Sequence, residues 1–186
     1  MPQISGFLDL MDARSFGVVW YWVALAWVWT RAGRRVLGVP REVIAAARRS
    51  LNSPTPEPPE AVALLDWLSL NLPRWQPTPV ERAVLVGIGG FGLGGLWALG
   101  AGLGLELALA ASLLLTPLAL LWLLNLWLAA RLARLLNSAE PLRDIATQAA
   151  RRMVWHSRLV FALGVISVMA TAMVGAIWRL LHPFGI

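Results

Sequence analysis

The sequence predicts an all-α integral membrane protein with four transmembrane helices plus short interfacial or amphipathic helices, and three observations predict it. Of the 186 residues 58% are hydrophobic and 14% charged, against roughly a quarter charged in an ordinary soluble domain. Uncharged runs of 20, 23 and 24 residues recur along the chain, and about 20 apolar helical residues cross a hydrocarbon core of about 30 Å. All sixteen basic residues are arginine, and fourteen of them fall in two segments, 31–82 and 131–158. A single membrane domain, 1–186, is expected.

The first span is placed at about 13–33. Between Arg14 and Arg31 the run from Phe16 to Thr30 gives only fifteen residues, preceded by Ser15, so the helix borrows length from arginine stems that reach the interface. Trp20, Tyr21, Trp22, Trp27 and Trp29 suit the headgroup boundary at the ends of such a short helix; the alternative is a helix lying flat in one leaflet. The residues before Phe16 lack the basic start and small-residue cleavage site of a secretory signal and carry Asp9 and Asp12 instead, so no cleavage is expected.

The segment 31–82 opens with a short basic helix, Arg41 to Arg49, for which Pro40 suits a first-turn position. Pro54, Pro56, Pro58 and Pro59 then impose an extended, polyproline-like linker. Ala61 to Leu72 is too short to span and is read as an interfacial helix with Trp67 at headgroup depth, or as a helix packed on a partner subunit.

Spans at about 83–105 and 107–130 read as a tight hairpin, turning near Gly100 to Glu106, with Glu106 at the water interface. Twelve of the twenty-four residues from Leu107 to Ala130 are leucine, each favouring insertion by roughly 0.3–0.6 kcal/mol. Pro117 is expected to kink this span, with Thr116 answering the freed carbonyl or bending the helix. Asn125 should seek an interhelical hydrogen bond. An amphipathic segment, 138–157, follows. Ser138 is its expected cap, with Leu142, Ile145, Ala146, Ala149 and Met153 on one face. It either bends into the last span, about 159–178, or continues into it without a break.

Arginine counts set the orientation. One precedes the first span, eight lie in 31–82, six in 131–158 and one follows the last span, with none in the hairpin turn. The positive-inside rule therefore places the two arginine-rich segments in the cytoplasm of a bacterial inner membrane and both termini in the periplasm.

The chain has no cysteine, which excludes disulfides, thiolate chemistry and cysteine-ligated metals. No catalytic residues, metal or cofactor are expected. Gly87, Gly89 and Gly92 match the spacing of a dinucleotide-binding turn but lie inside a membrane run rather than after a strand. Gly90, Gly94, Ala98 and Gly102, four apart, instead offer a face for close helix approach, and Ser167, Thr171 and Gly175 mark a similar stripe on the last span. These two helices are expected to face each other. His156, at the mouth of the last span, reads as a solvated interface histidine. The arginine pairs Arg34 with Arg35, Arg48 with Arg49, and Arg151 with Arg152 are expected to meet anionic lipid headgroups. Nucleic acid is not an expected partner, because these charges track span ends rather than one continuous face.

The stretch MDARSFGVVWYWVALAWVW, followed by VLGVPREVIAAARR, and the later GLELALAASLLLTPLALL resemble a small family of alphaproteobacterial inner-membrane proteins. Members of that family are labelled as a component of the SufBCD iron–sulfur assembly complex. The resemblance implies a multi-pass inner-membrane protein and carries over no catalytic residues. The expected function is that of a non-catalytic accessory or assembly subunit, in contact with membrane lipids and with other membrane-protein subunits of a respiratory or photosynthetic complex. The alternative is a small homo-oligomeric transporter or channel component with a pore lined by Asn125, Thr116 and the glycine face.

Overall fold

The structure, a computed structural model, describes residues 19–53 and 58–181, and 87% of it is helical. The elements are α1 (Val19–Arg34), a two-stranded hairpin of β1 (Arg35–Val36) and β2 (Val39–Pro40), α2 (Arg41–Ser50), α3 (Pro59–Asn71), α4 (Pro79–Trp97), α5 (Glu106–Leu136) and α6 (Leu142–Leu181). A 3₁₀ turn, Leu72–Trp75, follows α3, and a π-helical turn, Ala98–Gly102, closes α4. Among the described residues three helices are long and apolar enough to cross a membrane: Pro79–Gly102, Glu106–Leu136 and Leu142–Trp178. The helix α1 is not one of them. Its 16 residues reach about 24 Å at 1.5 Å each, and residues 13–18 of the expected first span, like residues 54–57 of the proline linker and both termini, lie outside the described residues.

Two compact units are present. The first contains residues 19–29, 81–120 and 163–181. Its buried centre is Leu109 and Ala110 of α5, against which Tyr21, Leu113, Val174 and Trp178 pack. The expected hairpin of α4 and α5 forms, and Gly100 makes it tight: a Cβ there would stand 2.5 Å from the Leu109 amide nitrogen, closer than any side chain tolerates. Trp97 Nε1 donates to Thr116 Oγ1 at 2.9 Å across the same hairpin. Thr116 in turn donates to the Ser112 carbonyl at 2.6 Å, one residue before the carbonyl that Pro117 frees. Glu106 is 8% exposed rather than set at open water. It occupies the first turn of α5, where the helix dipole favours an acid.

The second unit contains residues 30–53, 58–80 and 121–162. Its core draws Val36, Leu37 and Val39 from the hairpin, Ile44 and Ala47 from α2, Leu64 and Leu68 from α3, and the apolar faces of α5 and α6. The hairpin turns on Leu37 (φ 52°) and Gly38 (φ 88°), the two positive φ values that a two-residue turn of matching twist requires. A Cβ on Gly38 would come within 2.6 Å of Asn71 Oδ1. One face of α3 is covered by this chain's own core, where Ala61, Leu64 and Leu68 are fully buried, while Trp67 and Leu70 remain exposed. The amphipathic segment and the last span are one continuous 40-residue helix, α6. Ser138 does not cap it. Its hydroxyl donates back to the Leu135 carbonyl and closes α5, while the Pro141 carbonyl accepts the first α6 amides, those of Asp144 and Ile145.

Candidate functional site

The expected small-residue faces behave differently from one another. Gly90, Gly94 and Gly102 have nothing within 4 Å of where a Cβ would stand, and Ala98 is exposed. Among the described residues nothing packs on these glycines; α4 meets α5 near its end, through Trp97 and through Gly100 of the π-helical turn. The stripe of α6 is buried at Ser167, Thr171 and Gly175, and its neighbour is α1 rather than α4. The Trp29 ring lies on Gly164, 3.0 Å from an added Cβ. The Thr171 hydroxyl lies beside the Tyr21 phenol without completing a hydrogen bond of ordinary geometry, while that phenol donates to the Ala110 carbonyl at 3.0 Å. Trp29 Nε1 and Ser167 Oγ are buried with no partner among the described residues.

Asn125 and His156 meet across α5 and α6. His156 Nε2–H donates to Asn125 Oδ1 at 2.8 Å. His156 is 4% exposed, not a solvated interface residue. The pair satisfies polar atoms that would otherwise be stranded among apolar helices, and the Asn125 amide oxygen is thereby engaged inside the chain.

An open groove of the second unit gathers basic side chains. About 900 Å³ in volume, it lies between the C-terminal end of α2 and α6, and Arg48, Arg151, Arg152 and Arg158 line it with Trp155. The remaining lining includes Leu51, Ala150 and Val154 on the apolar side and Asn52, Thr147 and Gln148 on the polar side. Among the described residues no carboxylate lines it.

The local sequence explains the groove. Arg151, Trp155 and Arg158 recur at i, i+4 and i+7, which sets them on one helical stripe, while Ile145, Ala149 and Met153 on the other face are buried in the core. The α2 wall is held in place by Arg143, whose Nη2 donates to the Leu51 and Ser53 carbonyls at 2.7 Å each, satisfying acceptors left free where α2 ends. Arg152 is oriented by Gln148 Oε1 at 3.2 Å and by the Arg131 carbonyl at 3.4 Å. Gln148 Nε2 donates to Glu140 Oε2 at 2.7 Å, so the nearest acid that these bonds reach is one side chain removed from the groove. The side chains of Arg48, Arg151 and Arg158 have no hydrogen bond or ion pair with other described residues.

Of the six arginines expected at headgroups, the structure brings together Arg48, Arg151 and Arg152. Arg34 and Arg35 are exposed elsewhere, and Arg49 turns back on its own helix, Nε to the Ala45 carbonyl at 3.4 Å. Arg158, which the sequence marks only as the edge of a span, is the member that sequence reasoning missed; its seven-residue spacing from Arg151 is the signal that could have found it. Among the described residues no three His, Cys, Asp or Glu side chains are grouped to hold a metal ion. No family model, curated protein or solved structure matches this chain.

Proposed function

We propose that the chain is a non-catalytic accessory or assembly subunit of a larger bacterial inner-membrane complex, respiratory or photosynthetic, acting by helix packing and lipid contact. In this reading the arginine-rich segments are cytoplasmic and both termini periplasmic, in keeping with the resemblance to inner-membrane proteins. The observation that supports it is α4. No residue of that helix is buried, and only 6% of its most apolar window lies inside the chain, against 28% for the other two long helices. Its glycine face lets another backbone approach closely, and membrane helices associate through such small-residue faces.

The test is a photo-crosslinking residue in place of Phe91, which is 87% exposed, followed by mild extraction and native gel electrophoresis. A discrete adduct with a second membrane polypeptide, lost on Gly90→Leu/Gly94→Leu, is expected. A chain that migrates as a free monomer and crosslinks only lipid would refute the reading.

A further inference from the structure

We infer that the groove between α2 and α6 is a binding site for the headgroup of an anionic lipid bearing two phosphates. Four guanidinium groups, Arg48, Arg151, Arg152 and Arg158, line one groove, and among the described residues no acidic side chain lines it. Arginine stays charged at any relevant pH and offers a planar fork of donors that matches phosphate oxygens in pairs. Gathering four such cations costs electrostatic repulsion, and an anion placed among them relieves it. Three of the four, Arg48, Arg151 and Arg158, have no internal partner among the described residues, so their donors are available. Arg152 is already held on Gln148 and the Arg131 carbonyl and presents a positioned charge.

Four guanidinium groups in one groove exceed what a single phosphate pairs with in forked geometry, and two phosphates match them better. Arg151 and Arg158 lie seven residues apart on one helical stripe, about 10 Å between their backbones along the axis at 1.5 Å per residue, so each can take a phosphate of its own. Two phosphates joined by a glycerol-sized linker span that interval, with Trp155 between the arginines and Arg48 approaching from α2.

Lipid, rather than a soluble diphosphate, follows from what surrounds the cations. Leu51, Ala150, Val154 and the 61%-exposed Trp155 supply apolar wall, and the twenty-residue uncharged run begins immediately after Arg158. Leu159 and Phe161 are exposed there, which gives acyl chains an apolar path away from the headgroup. Indole at the boundary and basic residues on the side of the anionic leaflet are the usual attachments of such lipids.

The inference rests on the chain residing in a bilayer, but not on the existence of a host complex, and its test uses the isolated full chain. Purified protein in neutral detergent is titrated with diphosphatidylglycerol, phosphatidylglycerol or inorganic pyrophosphate, and bound species are counted by native mass spectrometry. Diphosphatidylglycerol is expected to bind at least tenfold more tightly than phosphatidylglycerol, and pyrophosphate at the same concentration should not displace it. Arg151→Gln/Arg158→Gln should weaken binding at least tenfold, whereas Arg34→Gln/Arg35→Gln should change it less than twofold. Arg151→Lys/Arg158→Lys, which keeps charge and loses the fork, should fall between and guards against a folding defect in the glutamine variant. Equal losses in the two glutamine pairs, no loss in the groove pair, or displacement by pyrophosphate would each overturn the assignment. A chain that leaves the membrane on mild extraction as a free monomer, yet selects the two-phosphate lipid once purified, would end the complex-subunit reading alone.

Discussion

At the scale of single residues, the glycines separate into those that hold this chain together and those that do not. Gly100 sits where any Cβ would collide with the backbone of the second helix of the hairpin, 2.5 Å from the Leu109 amide nitrogen. Gly100→Ala should therefore cost about 1–3 kcal/mol by forcing two helices apart, read as a lower melting temperature in detergent. Gly90→Ala meets nothing within 4 Å and should leave that temperature unchanged or raise it, since alanine favours helix over glycine by about 1 kcal/mol. Gly38→Ala combines positive φ with an approach of 2.6 Å to Asn71 Oδ1; the amide can swing aside, so the backbone strain dominates and the cost should be about 1 kcal/mol. The sequence shows glycines at helix-packing intervals, yet Gly100 and Gly164, where an added Cβ would meet another helix at 2.5 and 3.0 Å, belong to neither expected stripe. Spacing reports which residues share a face, but contact also depends on where the partner helix arrives.

At the scale of elements, a buried polar contact, Asn125 with His156, joins α5 to α6 beside their shared apolar core. Asn125→Leu removes the acceptor of the His156 Nε2 proton and leaves a buried imidazole unsatisfied, at an expected cost of about 1–2 kcal/mol. The double variant Asn125→Leu/His156→Phe should recover most of that loss, since both polar groups are then gone. A cycle with no coupling would show that the pair contributes nothing to the helix interface. Arg143→Met should loosen the end of α2 by freeing the Leu51 and Ser53 carbonyls, visible as faster amide exchange over residues 48–53. The three long helices are legible in the sequence because charge-free length is a direct physical requirement for crossing lipid. The two-residue hairpin is not, because its turn places a leucine at positive φ, where asparagine or glycine is usual. The apolar character of α3 suggests a place at the membrane surface; what it does not reveal is that one face buries Leu64 and Leu68 in the core of the second unit. Continuity of α6 is one of two outcomes the sequence leaves open, and the absence of any proline or glycine between Leu142 and Ala162 decides it.

At the scale of the whole molecule, the many exposed apolar side chains and the gathering of fourteen of sixteen arginines into two segments, 31–82 and 131–158, point to the same solvent. Leu85, Ile88, Phe91, Phe161, Met169 and Met173 are among many large apolar side chains left exposed, a surface incompatible with stability in water and suited to acyl chains. The groove arginines are individually legible as basic residues near span ends; their convergence is not, because Arg48 reaches the site only through the packing of α2 against α6. Because the chain contains no cysteine, every thiol in a variant is an introduced one, and sidedness can be read directly. In sealed vesicles, Asn52→Cys and Ala139→Cys should react with an impermeant maleimide from the cytoplasmic face, and Leu103→Cys from the opposite face. Reaction of positions 52 and 139 from opposite faces, or recovery of the folded chain in buffer without lipid or detergent, would contradict the account.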